Sequence, residues 1–418
     1  MRARVLILWV AVAAAAGVLS VAQVRRCPHA TFDRSADARR VEAIPVERLL
    51  RDPAALLVDA RRQREAVCIA GYSRARAVLS LAAFVFAPIA FMLLGWHRAL
   101  ERLLPGAPRP ARYAVIGALL SLWLWVWGVP FDVAGVLVAR ALGLSRESAA
   151  TFLSNESAAL GLQLLAGAVL AQAISTLRRP RWSLRIAAVL APFAVFVAIV
   201  VPLWIAPLFN SYRPMPASPL RDAIERQAQR AGLLHARIFE TNLSAQSELA
   251  NAFVFGFWKT QRIVVGDTLL QRYGRDDVLF VLAHEMGHAV HGDVYRGVFW
   301  SWLLGCASIV LIELLEPRRL RPLPPERRAI GLLAMAAVLA VLAQPLGNAL
   351  SRRVEHRADA YALTLNGDRA AGVRTFVRFA DEGFGQLCPP RWATLFFGTH
   401  PPLGERIAFM QNLPDDCH

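Results

Sequence analysis

Asp276-Asp277-Val278-Leu279-Phe280-Val281-Leu282-Ala283-His284-Glu285-Met286-Gly287-His288-Ala289-Val290-His291-Gly292 is the stretch on which the reading of this 418-residue chain turns. It predicts a helix opening at Asp276 or Asp277, where carboxylates suit the positive end of the helix dipole, and ending at Gly292. His284 and His288 are four residues apart, so both imidazoles lie on one face and reach a single ion. Glu285 neighbours them and can contact water held by that ion. A helix whose histidines hydrogen-bond within a polar core would show the same five residues. A hydrolytic zinc site needs three protein ligands and one open position. His291 lies three residues past His288 and reads as a solvated helix-end histidine.

A better third ligand lies downstream, in Ser351-Arg352-Arg353-Val354-Glu355-His356-Arg357-Ala358-Asp359. Glu355 and Asp359 share a helical face, so one carboxylate can bind metal while the other holds a ligand histidine's second nitrogen. Read without the upstream motif, these are i, i+4 salt bridges with Arg352 or Arg353 on a solvated face.

Outward from these motifs the chain is apolar. Hydrophobic residues make up 56% and mean hydropathy is +0.39. They gather at 5–23, 77–96, 113–129, 158–177, 186–207, 298–315 and 329–350, mostly near the roughly 20 residues that cross about 30 Å of hydrocarbon. We read six or seven membrane helices in a mainly α-helical polytopic protein. Glu313 sits near the end of the sixth block; a central carboxylate would cost roughly 2.5–3.5 kcal/mol. The first block, preceded by Arg2 and Arg4, reads as an uncleaved helix rather than a signal peptide, since its apolar run is long and no cleavage site stands out.

The polar remainder divides the chain into a membrane region at 1–208, with five spans and a polar loop at 24–76, and a catalytic region at 209–418. The latter is interrupted by a two-helix hairpin at about 297–350, which returns both polar halves to one side. Residues 209–296 read as α/β. Ser218-Pro219 starts a helix that Gly232 stops, and strand-like runs follow at 236–239, 252–257 and 262–265.

Net charge is +16, with Lys259 the only lysine. Arginines cluster at the ends of apolar blocks, as in 98–102, 178–185 and 318–328. That is the pattern of a membrane protein's cytoplasmic loops rather than of a nucleic-acid binder. It leaves the long polar regions facing outward, toward a periplasm if the source is bacterial, as the arginine and alanine bias suggests. Cys27 and Cys68 share one outer region and Cys388 and Cys417 another, so disulfides are open to them in an oxidising compartment; four unrelated thiols are the alternative.

Taken together, Pro202–Asn210 (PLWIAPLFN), Asn251-Ala252-Phe253, Ile263–Leu270 (IVVGDTLL), His284–His288, Ser351–Asp359 and Thr399-His400-Pro401-Pro402 with Glu405-Arg406 resemble the type I CAAX prenyl proteases. These are seven-helix membrane gluzincins, and the resemblance runs from about Pro130 to Ile407. It implies one zinc ion on His284, His288 and Glu355, Glu285 as general base, Asp359 behind a ligand and His400 near the developing oxyanion. It also implies Asn251, Ala252 and Arg406 as substrate contacts, with a peptide adding to the strand after Asn251. Asn251 equally reads as a strand-end asparagine and His400 as a turn histidine held by Pro401-Pro402. The family encloses its site in a chamber that Gln344, Asn348 and Ser351 would line; interhelical hydrogen bonding is their other reading. The expected partners are the lipid bilayer and a peptide or protein substrate, lipid-modified or not. Nothing in the residues reads out a prenyl group. Rival readings are an intramembrane protease, opposed by Arg275, Asp276, Asp277 and Asp293 around the motif; a heat-shock-type membrane metalloprotease; and an inactive binding protein, which would show an altered base or ligand.

Overall fold

The computed structural model describes residues 108–418 apart from 201–204, 206–208, 257, 415–416 and 418, together with parts of 15–24 and 71–82. The blocks at 5–23 and 77–96, and Cys27 and Cys68, fall largely or wholly outside these residues. Within them the chain is mostly helical. The elements are α1 (Arg109–Ala141), α2 (Ala149–Leu170) running into a 3₁₀ helix (Ala171–Arg178), α3 (Trp182–Val200), β1 (Tyr212–Pro214), α4 (Pro219–Arg230), β2 (Arg237–Thr241), β3 (Ala252–Phe255) and β4 (Arg262–Gly266). There follow α5 (Asp267–Arg272), α6 (Arg275–His291), α7 (Asp293–Leu315), α8 (Pro325–Asn366), α9 (Arg369–Glu382), α10 (Arg391–Phe397) and α11 (Leu403–Gln411).

Among the described residues, four helices are long and apolar enough to cross a membrane: α1, α2 with its 3₁₀ extension, α7 and α8. The block at 186–207 appears as the shorter apolar α3. Glu313 lies in the last turn of α7, where its carboxylate accepts the Ser183 N–H at 3.2 Å. A partner at the helix end, not a charge at mid-membrane, makes this residue tolerable. α8 has 42 residues, so at 1.5 Å each it is about 63 Å long. That is roughly twice the hydrocarbon thickness, and its second half continues beyond any bilayer as the carrier of Glu355 and Asp359.

The sheet has order β1-β2-β4-β3, with β2 and β4 parallel and the outer strands antiparallel to their neighbours. β4 is buried along Ile263–Val265, whereas β3 at the edge alternates buried Ala252 and Val254 with partly exposed Phe253 and Phe255. This is the period-2 pattern of a strand with one packed face. Ala252, Val254, Ile263 and Val265 share a core with Ile224 of α4 and Val278, Leu282 and Met286 of α6. α4 starts as expected, its Ser218 side chain accepting the Arg221 N–H with Pro219 in the first turn. The strands lie within two residues of the expected runs, while β1 and the short α5 were not anticipated.

Candidate metal centre

α6 begins at Arg275 and ends on Gly292, whose φ of 63° is left-handed backbone that suits glycine. α7 then starts at once with Asp293. α6 packs along the outer half of α8, and Gly287 permits the approach: a Cβ there would meet the Tyr361 side chain at 3.1 Å and the Ala358 Cα at 3.3 Å. Because the two helices are this close, Glu355 reaches both histidines. Nε2 of His284 lies 3.3 Å from Glu355 Oε2, Nε2 of His288 3.5 Å from Oε1, and the two Nε2 atoms are 3.2 Å apart. Ligand atoms of all three residues fall within 4.8 Å of one another.

The surrounding groups fix what this trio can hold. His284 Nδ1 lies 2.8 Å from Asp359 Oδ1, and His288 Nδ1 lies 2.9 Å from Asp293 Oδ2. Carboxylates accept, so each ring carries a proton on Nδ1, which leaves Nε2 as the atom that can ligate a metal. Glu355 adds acceptor oxygens to the same point, and its buried Oε2 has no hydrogen-bond partner. A positive charge is needed to hold the three groups together: a proton on Nε2 of His284 when no metal is bound, or a divalent ion that replaces it. Burial opposes charge on His284, yet its contacts with Asp359 and Glu355 outweigh that and hold its pKa up to about 9. The pocket favours positive charge, and two imidazoles with one carboxylate are a donor set that suits a tetrahedral divalent ion.

Each aspartate is held by an arginine. Arg406 gives Asp359 two bonds, from Nε at 2.8 Å and Nη2 at 2.7 Å, and stacks over the Phe376 ring at 4.1 Å. Burial alone would raise the Asp359 pKa, but Arg406 and His284 bring it down to about 2. Arg357 pairs with Asp293. Glu285 follows His284 on α6; burial pushes its carboxyl above the usual range, against the pull of both histidines.

The remaining expected residues are placed as follows. His400 Nε2 stands 3.4 Å from Glu355 Oε1 with its side chain 59% exposed. Its loop is braced from α8, where Arg352 donates to the Thr394 and Gly398 carbonyls and Asn348 to that of Leu395. Asn348 is thus buried in an interhelical bond. Asn251 is exposed at the head of β3, its Oδ1 accepting the Ala252 N–H at 2.9 Å. The Gly266 N–H donates to the Asn251 carbonyl. Residues 251, 253 and 255 therefore bond β4, and the backbone of Ala252 and Val254 points outward at the open edge. The Ala252 side chain is buried and its N–H is held by Asn251 Oδ1, so its carbonyl is the group turned to the edge. Arg406, expected as a substrate contact, is 7% exposed and its guanidinium is bonded to Asp359, so its side chain faces that carboxylate and not the surface. His291 Nδ1 donates to the Gly287 carbonyl at 2.7 Å and the ring packs edge-on to Tyr361, apart from the trio. Asp293 was missed as a partner of His288. Its place directly after the helix-ending Gly292 is the signal that was there to read.

Comparison with known proteins extends the picture. The family model for peptidase family M48 matches residues 214–413. The chain is 33% identical to the "Uncharacterized metalloprotease YhfN" of Bacillus subtilis (strain 168), over 54% of this chain and 55% of that one. The match thus spans about half that relative's length. It is 27% identical to the "CAAX prenyl protease 1 homolog" of Oryza sativa subsp. japonica, over 70% and 72% of the two chains. It is 30% identical to "Protease HtpX" of Cellvibrio japonicus (strain Ueda107), over 53% of this chain and 82% of that protein. In three dimensions it shares the fold of S. mikatae Ste24p, with TM-score 0.66 and 19% identity over 96% and 98% of the two chains.

Proposed function

This chain belongs to peptidase family M48, and we propose that it is a zinc-dependent endopeptidase of the membrane, cleaving membrane-associated or lipidated polypeptides. The observation that carries this reading is the convergence of two imidazoles and a carboxylate, their ligand atoms within 4.8 Å of one another, beside the half-buried Glu285. His284, His288 and Glu355 are the proposed zinc ligands. Bound there, zinc supplies Lewis acidity and brings the pKa of a water close to 7. Glu285 takes that water's proton and passes it to the leaving amine, a task its raised pKa suits. His400, at the rim, donates to the developing oxyanion. The outward backbone of Ala252 and Val254 pairs with an extended substrate, which adds to the sheet as a further strand, with Asn251 at its end. Asp359 and Asp293 keep both histidines in the tautomer that presents Nε2.

We infer seven spans in all, the long helices and α3 being joined by the blocks at 5–23 and 77–96. The region at 209–418 is then a small α/β gluzincin unit interrupted by the α7–α8 hairpin. We place this unit on the periplasmic side of a bacterial inner membrane. The Arg178–Trp182 and Glu316–Arg328 connectors lie together, Arg328 donating to the Leu177 carbonyl and pairing with Glu316. They cap the end of the helices opposite the zinc ligands, as cytoplasmic basic loops would. Cys388 and Cys417 form a disulfide beside the His400 loop, which suits an oxidising compartment.

The decisive test is Glu285→Gln: the holoenzyme should keep its metal and lose peptide cleavage, and near-normal turnover would reject the mechanism. Mapping the cut sites in peptides with and without farnesyl then separates prenyl-directed cleavage from general turnover of membrane and exported chains. For sidedness, a C-terminal alkaline phosphatase fusion should be active and a C-terminal green fluorescent fusion dark.

A further inference from the structure

A second charged cluster joins the membrane helices to the segment that leads into β3. The α1–α2 connector, residues 142–148, is anchored by Leu144, which is buried with Leu142, Val138, Ala75 and Phe384. Three bonds leave this post. Ser145 Oγ donates to the Gln246 carbonyl at 2.6 Å, the Leu144 carbonyl accepts the Glu248 N–H at 2.9 Å, and Arg146 Nε meets Glu248 Oε1 at 2.5 Å. The Glu248 side chain is only 3% exposed. Its other oxygen pairs with Arg272 at the end of α5, which also donates to the Glu248 carbonyl. Immediately downstream, Thr268 Oγ1 donates to the Leu249 carbonyl at 3.0 Å, and the Gly266 N–H holds the Asn251 carbonyl.

Arg272 alone balances the buried carboxylate. Arg146 is 78% exposed, and pairs with one exposed partner contribute little to stability. What the second arginine does add is geometry, since it ties the lead-in of the edge strand to the membrane bundle. The outward backbone of β3 begins four residues later, so the height at which this edge is held decides how well an extended substrate can pair with it.

We propose that Glu248 is a positioning residue: clamped between Arg146 of the membrane connector and Arg272 of the catalytic region, it fixes the height of the β3 edge over the metal ligands. The membrane helices thereby set where a substrate strand docks. This rests on reading the chain as a peptidase that takes substrate on β3.

The test uses the full-length holoenzyme in detergent and a labelled peptide that it cleaves. Arg146→Ala leaves the buried Arg272–Glu248 pair intact, so the fold survives. It should raise KM about fivefold, the upper range for a half-exposed pair, with kcat and metal content unchanged. Arg146→Lys should restore most of that loss, and Arg146→Glu should exceed it. Hydrogen exchange should quicken at the amides of 252–255 and stay slow in α6. Unchanged KM and unchanged exchange at 252–255 would overturn the proposal. So would a joint fall in kcat, metal content and protection throughout the chain, which marks a merely structural role. If Glu285→Gln still cleaves, the peptidase reading fails instead, and exchange at 252–255 still reports on the strut by itself.

Discussion

The two proposed ligand histidines are supported by relays of the same composition and different surroundings. Behind His284 stand Asp359 and Arg406, with side chains 1% and 8% exposed; behind His288 stand Asp293 and Arg357, at 6% and 39%. In the first, a two-pronged guanidinium stacked on Phe376 locks a fully buried carboxylate. In the second, the arginine reaches in from solvent and the aspartate hangs from the first turn of a membrane helix. A fully buried pair is costly to assemble and very costly to halve, whereas a pair whose arginine is reached by solvent is partly screened and costs less to break. The centre is therefore rigid on the side of α8 and α11 and compliant on the side of α7.

The largest expected effect lies outside both relays and sets the scale. Glu285→Gln removes general-base help worth roughly 10²–10⁴-fold, with metal retained on elemental analysis. Next comes Arg406→Ala, which strands the Asp359 charge and should lower unfolding free energy by about 3–5 kcal/mol. Denaturation in detergent measures this, and a loss as small as that of Arg357→Ala would break the contrast. Asp359→Ala and Asp293→Ala should each weaken metal affinity within the range of about 10–100-fold typical of such partners, the first near the top and the second near the bottom. Competition with a chelator ranks them, and the reverse order would place the rigid side at α7. Arg357→Ala should cost less than about 1 kcal/mol and shrink further in high salt. His291→Ala, touching only Gly287 and Tyr361, should leave metal content and cleavage essentially as they were.

Much of this arrangement was legible in the residues. The i, i+4 histidines and the shared face of Glu355 and Asp359 follow from helical periodicity, and the apolar blocks from length alone. What periodicity cannot supply is the angle between helices. Gly287 reads as a neutral residue inside the motif until α8 is seen against it. Arg406 is expected as a substrate contact on the resemblance alone, and only the proximity of α11 to α8 shows its guanidinium bonded to Asp359. Asp293 was passed over because it belongs to the next element, across a left-handed glycine. Short strands such as β1 are set by pairing with a partner, so three residues carry no signal of their own.

The α7–α8 hairpin also imposes an order of events on the ribosome. Glu355 is synthesised 67 residues after His288, a lag of about 3–13 s at 5–20 residues per second. During that interval the nascent chain has two of its three proposed ligands and no means of completing the set. The third arrives on the same helix that must first cross the bilayer back to the side it left. With the hairpin spanning the bilayer as proposed, a chain misthreaded at this stage would leave Glu355 across the membrane from His284 and His288, and the proposed centre would stay unassembled.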